Sequence, residues 1–222
     1  MRTRITVEQM RRIDANAVGM GLPIHLMMEN AGRNLAGHLN DVLNLKKKRR
    51  VVVISGTGNN GGGGLASARH LSCYGARVDA ILLGNPERLT DPSRRHWKIL
   101  QNAKSVNAHT IPDRTQLLGK KKLVLKADAI VDAIFGTGYE GRIREPAATA
   151  IALINESNAY KLSNDVPSGL DPNTGKVRDR AVRADATVAL HRLKAGLNKN
   201  RFTGQIILAN IGIPLEAERG VL

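Results

Sequence analysis

Apolar residues recur along this chain with two alternating patterns. Short unbroken runs such as Val51-Val52-Val53-Ile54 alternate with stretches in which Leu, Ile and Ala return every three or four positions. The first pattern predicts strands buried on both faces, the second helices with one apolar stripe. Strands are expected near 51–54, 77–83, 105–109, 128–134, 159–165, 185–190 and 205–210, and helices near 65–74, 91–102, 113–119 and 144–157. Such alternation predicts a largely parallel sheet covered on both faces. No helical pattern separates the last two strands, which leaves them free to pair as an antiparallel extension at one edge.

Two further helices precede the first strand. Thr6-Val7-Glu8-Gln9 reads as a capping box, after which Met10, Ile13, Asp14 and Ala17 share one face and Gly19 and Gly21 end the helix. Pro23 opens the second, with Leu26, Met27, Ala31, Leu35 and Leu39 at helical spacing. Both lie outside the alternating unit and suit a cap on the sheet or a dimer contact.

Composition narrows the class. The 222 residues suit one domain over 1–222, and with 42% hydrophobic but only 3% aromatic residues the core is aliphatic. A single cysteine, Cys73, excludes an intrachain disulfide framework, fits a reducing, cytoplasmic compartment, and is expected to be a small buried residue of a helix. No apolar run is as long as a membrane span, and Met1-Arg2-Thr3-Arg4-Ile5 lacks the apolar region of a secretory signal. The net charge is +15, with basic runs at Lys46-Lys47-Lys48-Arg49-Arg50 and Lys120-Lys121-Lys122, each just before a strand pattern. These runs are expected to form a solvated rim at one end of the sheet that also attracts anionic nucleotides. Nucleic-acid binding is the weaker reading, because no aromatic residues interleave with the basic ones.

Candidate chemistry gathers at three strand ends, where parallel sheets bind ligands. Ser55-Gly56-Thr57-Gly58-Asn59-Asn60-Gly61-Gly62-Gly63-Gly64 has the arrangement of a nucleotide-phosphate cradle between strand and helix. Asp132 to Gly141 and Asp165 to Asp171 are the other two polar, small-residue loops. Gly56 to Gly61 matches G-x-G-x-x-G, but Asp79 stands near the start of the second strand rather than at its end, and no Lys-Ser or Lys-Thr follows the glycines. A hydride-transfer dehydrogenase and a P-loop kinase are therefore disfavoured.

Together these segments resemble the signatures of the YjeF N-terminal family, whose best-known members are NAD(P)H-hydrate epimerases. The resemblance is carried by Gly56 to Gly64, Asp132-Ala133-Ile134-Phe135-Gly136-Thr137-Gly138 and Asp165-Val166-Pro167-Ser168-Gly169-Leu170-Asp171-Pro172-Asn173-Thr174-Gly175. Leu26 to Arg33, Ala184 to Val188, Lys194-Ala195-Gly196-Leu197 and Ile211-Gly212-Ile213-Pro214 resemble further landmarks, so the match runs from about residue 6 to about residue 214.

That resemblance implies a three-layer αβα, Rossmann-like sandwich with a mostly parallel sheet. It implies an isomerase that interconverts the R and S forms of hydrated NADH or NADPH, as a homodimer working beside a separate dehydratase. Carried over residue by residue, it places Asn59, Asn60, Gly61, Gly62 and Gly63 with Gly136, Thr137, Gly138, Tyr139, Glu140, Gly141 and Arg142 around the dinucleotide. Asp165 joins them, and Asn60, Asp132 and Ser168 are implied to hold a potassium ion, whose hardness suits an amide oxygen, a carboxylate and a hydroxyl. Each of these residues also has an ordinary turn or capping role open to it.

Three positions depart from the family pattern. Gly63 stands where an aspartate is usual, Ser163-Asn164 precede Asp165 where the strand is usually apolar, and Asn210 replaces an acid before Ile211. At C6 of the hydrated ring the hydroxyl must leave one face and return to the other, so a carboxylate that manages the proton is required. Asp132 is the first choice for that role and Asp165 the second. The competing reading is a non-catalytic nucleotide- or RNA-binding or dimerisation scaffold of the same fold, carried by the basic charge and Gly63.

Overall fold

The computed structural model describes residues 4–138, 141–177 and 179–222. Seven strands form one sheet: β1 (Arg50–Ser55), β2 (Arg77–Leu83), β3 (Val106–Ile111), β4 (Ala129–Ala133), β5 (Tyr160–Asn164), β6 (Ala186–Leu190) and β7 (Gln205–Ala209). Their order is β3-β2-β1-β4-β5-β6-β7 and every pairing is parallel. The order reverses between β1 and β4, and a crevice opens at that point beyond the carboxyl ends of the strands.

The strand residues divide by parity, as period-two side chains must. Val51 and Val53 of β1 face one layer, with α2 (Ile24–Leu43), α3 (Asn59–Cys73) and α4 (Asp91–Asn102), through Leu35, Leu39, Leu65, Leu71 and Trp97. Val52 and Ile54 face the other, with α5 (Arg114–Gly119), α6 (Lys121–Leu125) and α7 (Ala147–Glu156), through Leu117, Val124, Ile151 and Ile154. Each such aliphatic side chain contributes about 1.5–3 kcal/mol when fully buried. The result is the expected three-layer αβα, Rossmann-like sandwich.

The first helix, α1 (Val7–Gly19), belongs to neither layer. Its capping box is formed, with Thr6 Oγ1 accepting from the Gln9 N–H and Gln9 Oε1 from the Thr6 N–H. Met10, Ile13 and Ala17 pack on Met27 and Ala31 of α2 and on Ile211, Ile213 and Ala217 near the C-terminus. The helix thus roofs the pocket end of the sheet.

Several sequence expectations need correction. The last two strands pair in parallel, because residues 191–204 cross back over the sheet without a helix, anchored by Leu193, Leu197 and Phe202. The third helix begins at Asn59, so most of the supposed glycine loop is helical. Lys120-Lys121-Lys122 joins two short helices rather than leading directly into a strand, and Lys121 pairs with Glu156 at 2.8 Å. The helix expected from 144 starts at Ala147, with Pro146 as its cap. Cys73 is exposed rather than buried. Leu26 is also exposed, because the inward stripe of α2 runs through Met27, Met28, Ala31, Leu35 and Leu39.

Candidate functional site

A cavity of about 980 Å³ fills the crevice, at the upper end of the range for ligand pockets. Loops after β1, β4 and β5 line it together with α1 and α2.

The turn after β1 is built by close approach. A Cβ on Gly61 would lie 1.9 Å from the Gly56 carbonyl oxygen, so only glycine allows the chain to fold back into α3 there. Gly61 to Ala68 are all buried, which is why a sequence of four glycines persists as helix despite its low propensity. Gly58, at the helix N-cap, has no side-chain cap bond, and Thr57, Gly58, Asn59 and Asn60 line the cavity. The free N–H groups and the positive end of the helix dipole therefore face the space where a phosphate would sit. Arg11, Arg142 and Arg144 also border the cavity. The basic rim is thus not the one expected, since Lys46 to Arg50 enters β1 at its amino end, away from the pocket.

Gly136, Thr137, Gly138, Gly141 and Arg142 line the second wall. Tyr139 and Glu140 lie outside the described residues. Asn59, Asn60 and Gly63 are on the first wall, whereas Gly61 and Gly62 support it from behind. Gly62 packs against Met28 and Ser93, within 2.5 Å of where its Cβ would be.

The two candidate carboxylates differ sharply. Asp132, at the end of β4, is fully buried and does not border the cavity. Its Oδ2 accepts from Ser163 Oγ at 2.9 Å and the Ser168 N–H at 2.8 Å, and its Oδ1 from Ser168 Oγ at 2.5 Å. Burial pushes its carboxyl up, while the serine hydrogen bonds pull the other way. Asp165 does border the cavity, with φ 66°, a left-handed conformation that turns its side chain back toward β6. Its Oδ1 accepts from the Leu190 N–H at 3.0 Å and from the ammonium of Lys194. Lys194 is fully buried and also donates to the Leu190 carbonyl at 2.9 Å.

Asp132, Ser168 and Asn60 carry the hard oxygen donors an alkali cation takes, and here the oxygens of all three already take part in hydrogen bonds. Asp132 is a buried carboxylate with no cationic side chain paired to it among the described residues, and Ser168 Oγ bridges it to the Phe135 carbonyl. Asn60 Oδ1 approaches the loop after β4, 3.0 Å from the position of a Gly136 Cβ. No group of three or more His, Cys, Asp or Glu suited to a transition metal occurs among the described residues.

The departures at Gly63 and Asn164 prove to be neighbours. A Cβ on Gly63 would come within 2.8 Å of Asn164 Nδ2, so the amide occupies the room a side chain at 63 would need. Asn164 Nδ2 donates to the Asn60 carbonyl at 3.0 Å and to Asn60 Oδ1 at 3.1 Å, bracing the first turn of α3. Asp79, the misplaced acid of the dinucleotide fingerprint, instead pairs with His109 across β2 and β3 at 2.8 Å.

Sequence reasoning missed two site residues, Lys194 and Asp14. Lys194 was visible as a cation set between Leu193 and the small residues Ala195 and Gly196, Asp14 as a carboxyl on the apolar stripe of α1. Asp14 is half-buried and lines the cavity, and burial pushes it up to about 6, with Lys194 lowering and Asp165 raising it.

The family model described as "YjeF-related protein N-terminus" matches residues 24–196. The chain belongs to the YjeF N-terminal family. This YjeF domain is 43% identical over 220 residues to a Nitrosopumilus maritimus protein named NAD(P)H-hydrate epimerase, covering 98% of this chain and 99% of that one. A Cenarchaeum symbiosum protein of the same name matches with the same identity and coverage. A Pyrobaculum aerophilum "bifunctional NAD(P)H-hydrate repair enzyme Nnr" is 42% identical over 217 residues, and the match covers 96% of this chain but 42% of that longer protein. Among solved structures, the yeast protein YNL200c superposes with a TM-score of 0.78 at 27% identity, covering 90% of this chain and 86% of that one.

Proposed function

We propose that this YjeF domain is an NAD(P)H-hydrate epimerase, interconverting the R and S forms of hydrated NADH and NADPH. One observation carries the reading. A cavity at the sheet's switch point joins an uncapped helix N-terminus and three arginines to a lysine-braced carboxylate, in a chain that matches named epimerases from end to end. The helix end and arginines suit the pyrophosphate, and Asp165 suits the reacting ring.

In this reading Asn59, Asn60 and Gly63 contact the dinucleotide on one side, with Gly136 to Gly138, Gly141 and Arg142 on the other. Asn60, Asp132 and Ser168 would hold a potassium ion, which would supply positive charge to the site. Asp132 shapes the loop after β4 through Ser168, whose Oγ also accepts from the Phe135 N–H at 2.9 Å. Asp165, which faces the cavity, is the carboxylate that stabilises the cationic ring formed when the hydroxyl departs. A homodimer, a cytoplasmic setting and a partner dehydratase complete the reading.

The test is epimerisation of purified R-form NADHX in potassium buffer, coupled to an S-specific dehydratase. Acceleration over a protein-free control is expected. A folded protein that leaves the spontaneous rate unchanged refutes the enzyme and returns weight to a binding scaffold.

A further inference from the structure

We infer that Asp14 is the proton-carrying carboxyl of this cavity, delivering a proton to the hydroxyl that leaves the substrate ring, while Lys194 fixes Asp165 as its partner. The inference rests on the epimerase reading and adds to it a residue on α1, outside the three signature loops.

Placement is the first argument. Asp14 sits one turn from Met10 and beside Ile13 on the inward stripe of α1, and it borders the cavity together with Asp165. Partnering is the second. Asp165 Oδ1 receives both an ammonium and a backbone N–H, whereas Asp14 has no hydrogen bond or ion pair among the described residues. Lys194, the one buried ammonium among the described residues, is committed to Asp165 and the Leu190 carbonyl, so Asp14 shares its field without its contact. Two carboxyls held in such different environments divide into a proton donor and a charge stabiliser.

The other charges around Asp14 agree. Arg11 on its own helix borders the cavity but reaches toward Glu8, at 3.8 Å. Behind Lys194, Arg192 and His191 are engaged by Glu218 at 2.5 and 2.8 Å, so neither is free to neutralise Asp14. Arg142, Arg144 and Glu145 border the same cavity from the loop that leads into α7. Burial and the Asp165 charge together keep the Asp14 proton on to about pH 6.

The step balances as follows. The Asp14 carboxyl gives its proton to the C6 hydroxyl as the C6–O bond breaks, and the bonding pair leaves with oxygen as water. The ring-nitrogen lone pair forms the C=N bond, and the positive charge lies near Asp165. Water returns to the opposite face, a new C6–O bond forms with an oxygen lone pair, and the ring nitrogen recovers its own. The proton this water sheds is taken up by a carboxylate of the pair, and exchange with cavity water restores the starting state.

Asp14→Asn, Asp14→Glu and wild type should be compared for kcat and KM from pH 5 to 9, with ¹³C carboxyl titration of each protein. Expected are a fall in kcat of about 10²-fold or more in Asp14→Asn with KM within about threefold, partial recovery in Asp14→Glu, and loss of one carboxyl titrating near 6. An active wild type with Asp14→Asn within threefold of it in kcat, a change confined to KM, or no carboxyl titrating between 5 and 7 would overturn the assignment. A wild type that fails to accelerate epimerisation refutes the underlying enzyme instead, and the two failures are therefore separable.

Discussion

Replacing Asp14 by the isosteric asparagine should stabilise this protein at neutral pH and leave it unchanged in acid. Asp14 is half-buried beside Asp165, and its carboxyl is displaced from 3.8 to about 6 in the native state. The native state therefore holds this proton more tightly than the unfolded chain does. Its contribution to stability is present in full below about pH 4 and is lost as pH rises through 6. At pH 8 the ionised carboxyl costs the fold about 2–3 kcal/mol, from roughly 1.4 kcal/mol for each tenfold change in proton affinity. For a chain of 222 residues, at about 2–4 °C per kcal/mol, Asp14→Asn should raise the midpoint by roughly 4–12 °C at pH 8. At pH 4 the two proteins should coincide. Urea unfolding of both across pH 4–8 reads the difference directly, since the other titrating groups cancel. A gain below 1 kcal/mol at pH 8, or an equal gain at pH 4, would show that Asp14 is not the strained carboxyl described here. A protein that becomes sturdier as it loses turnover shows the trade expected of a functional site.

Other perturbations probe the rest of the site. Gly63→Asp alone should destabilise by about 1–3 kcal/mol through collision with Asn164, and Asn164→Ala should relieve it; additive effects in a double-mutant cycle would disprove the contact. Lys194→Met leaves Asp165 buried without its counter-charge and should cost about 3–5 kcal/mol; a change below 1 kcal/mol would refute the pairing. Asp132→Asn should abolish potassium stimulation and lower turnover by about 10²-fold or more while far-UV circular dichroism stays native; equal rates in potassium and choline for the wild type would remove the cation. Hydrogen bonding by Arg192 holds the Glu218 carboxyl low, so this tie stabilises above the ordinary carboxylate range and is lost as pH falls through it. Amide protection at 215–222, referred to the intrinsic exchange rate at each pH, should therefore fall in acid before that of the sheet.

Local physics made much of the architecture legible. The capping box at Thr6, the two-faced run Val51 to Ile54 and the Asp132 and Asp165 strand ends all lie where the sequence pattern puts them. The first turns of α3 were not legible as helix, because propensity counts glycine against a helix while packing against β1, β4 and α2 demands it. Direction of β7 depended on a helix-free crossover, for which periodicity has no signal. Asp14 and Lys194 are 180 positions apart in numbering, so only the folded chain reveals that they share one field. Gly63 and Asn164 looked like two separate departures from a pattern and prove to be a single accommodation.

The roof helix α1 is secured by residues far from it in sequence. Arg12 donates to the Gly220 carbonyl at 2.6 Å and Asn16 to the Ala217 carbonyl at 2.8 Å, while the Ala195 N–H donates to the Ile5 carbonyl at 2.8 Å. On a ribosome, α1 emerges some 200 residues before these anchoring partners do. Closing contacts of such long sequence separation is entropically costly and comes late in folding. A nascent chain able to assemble its sheet still lacks the surface that seats Asp14 until residues 211–220 have left the exit tunnel, so chemical competence is expected only after that point. Synthesis itself thus acts as a timer on the site.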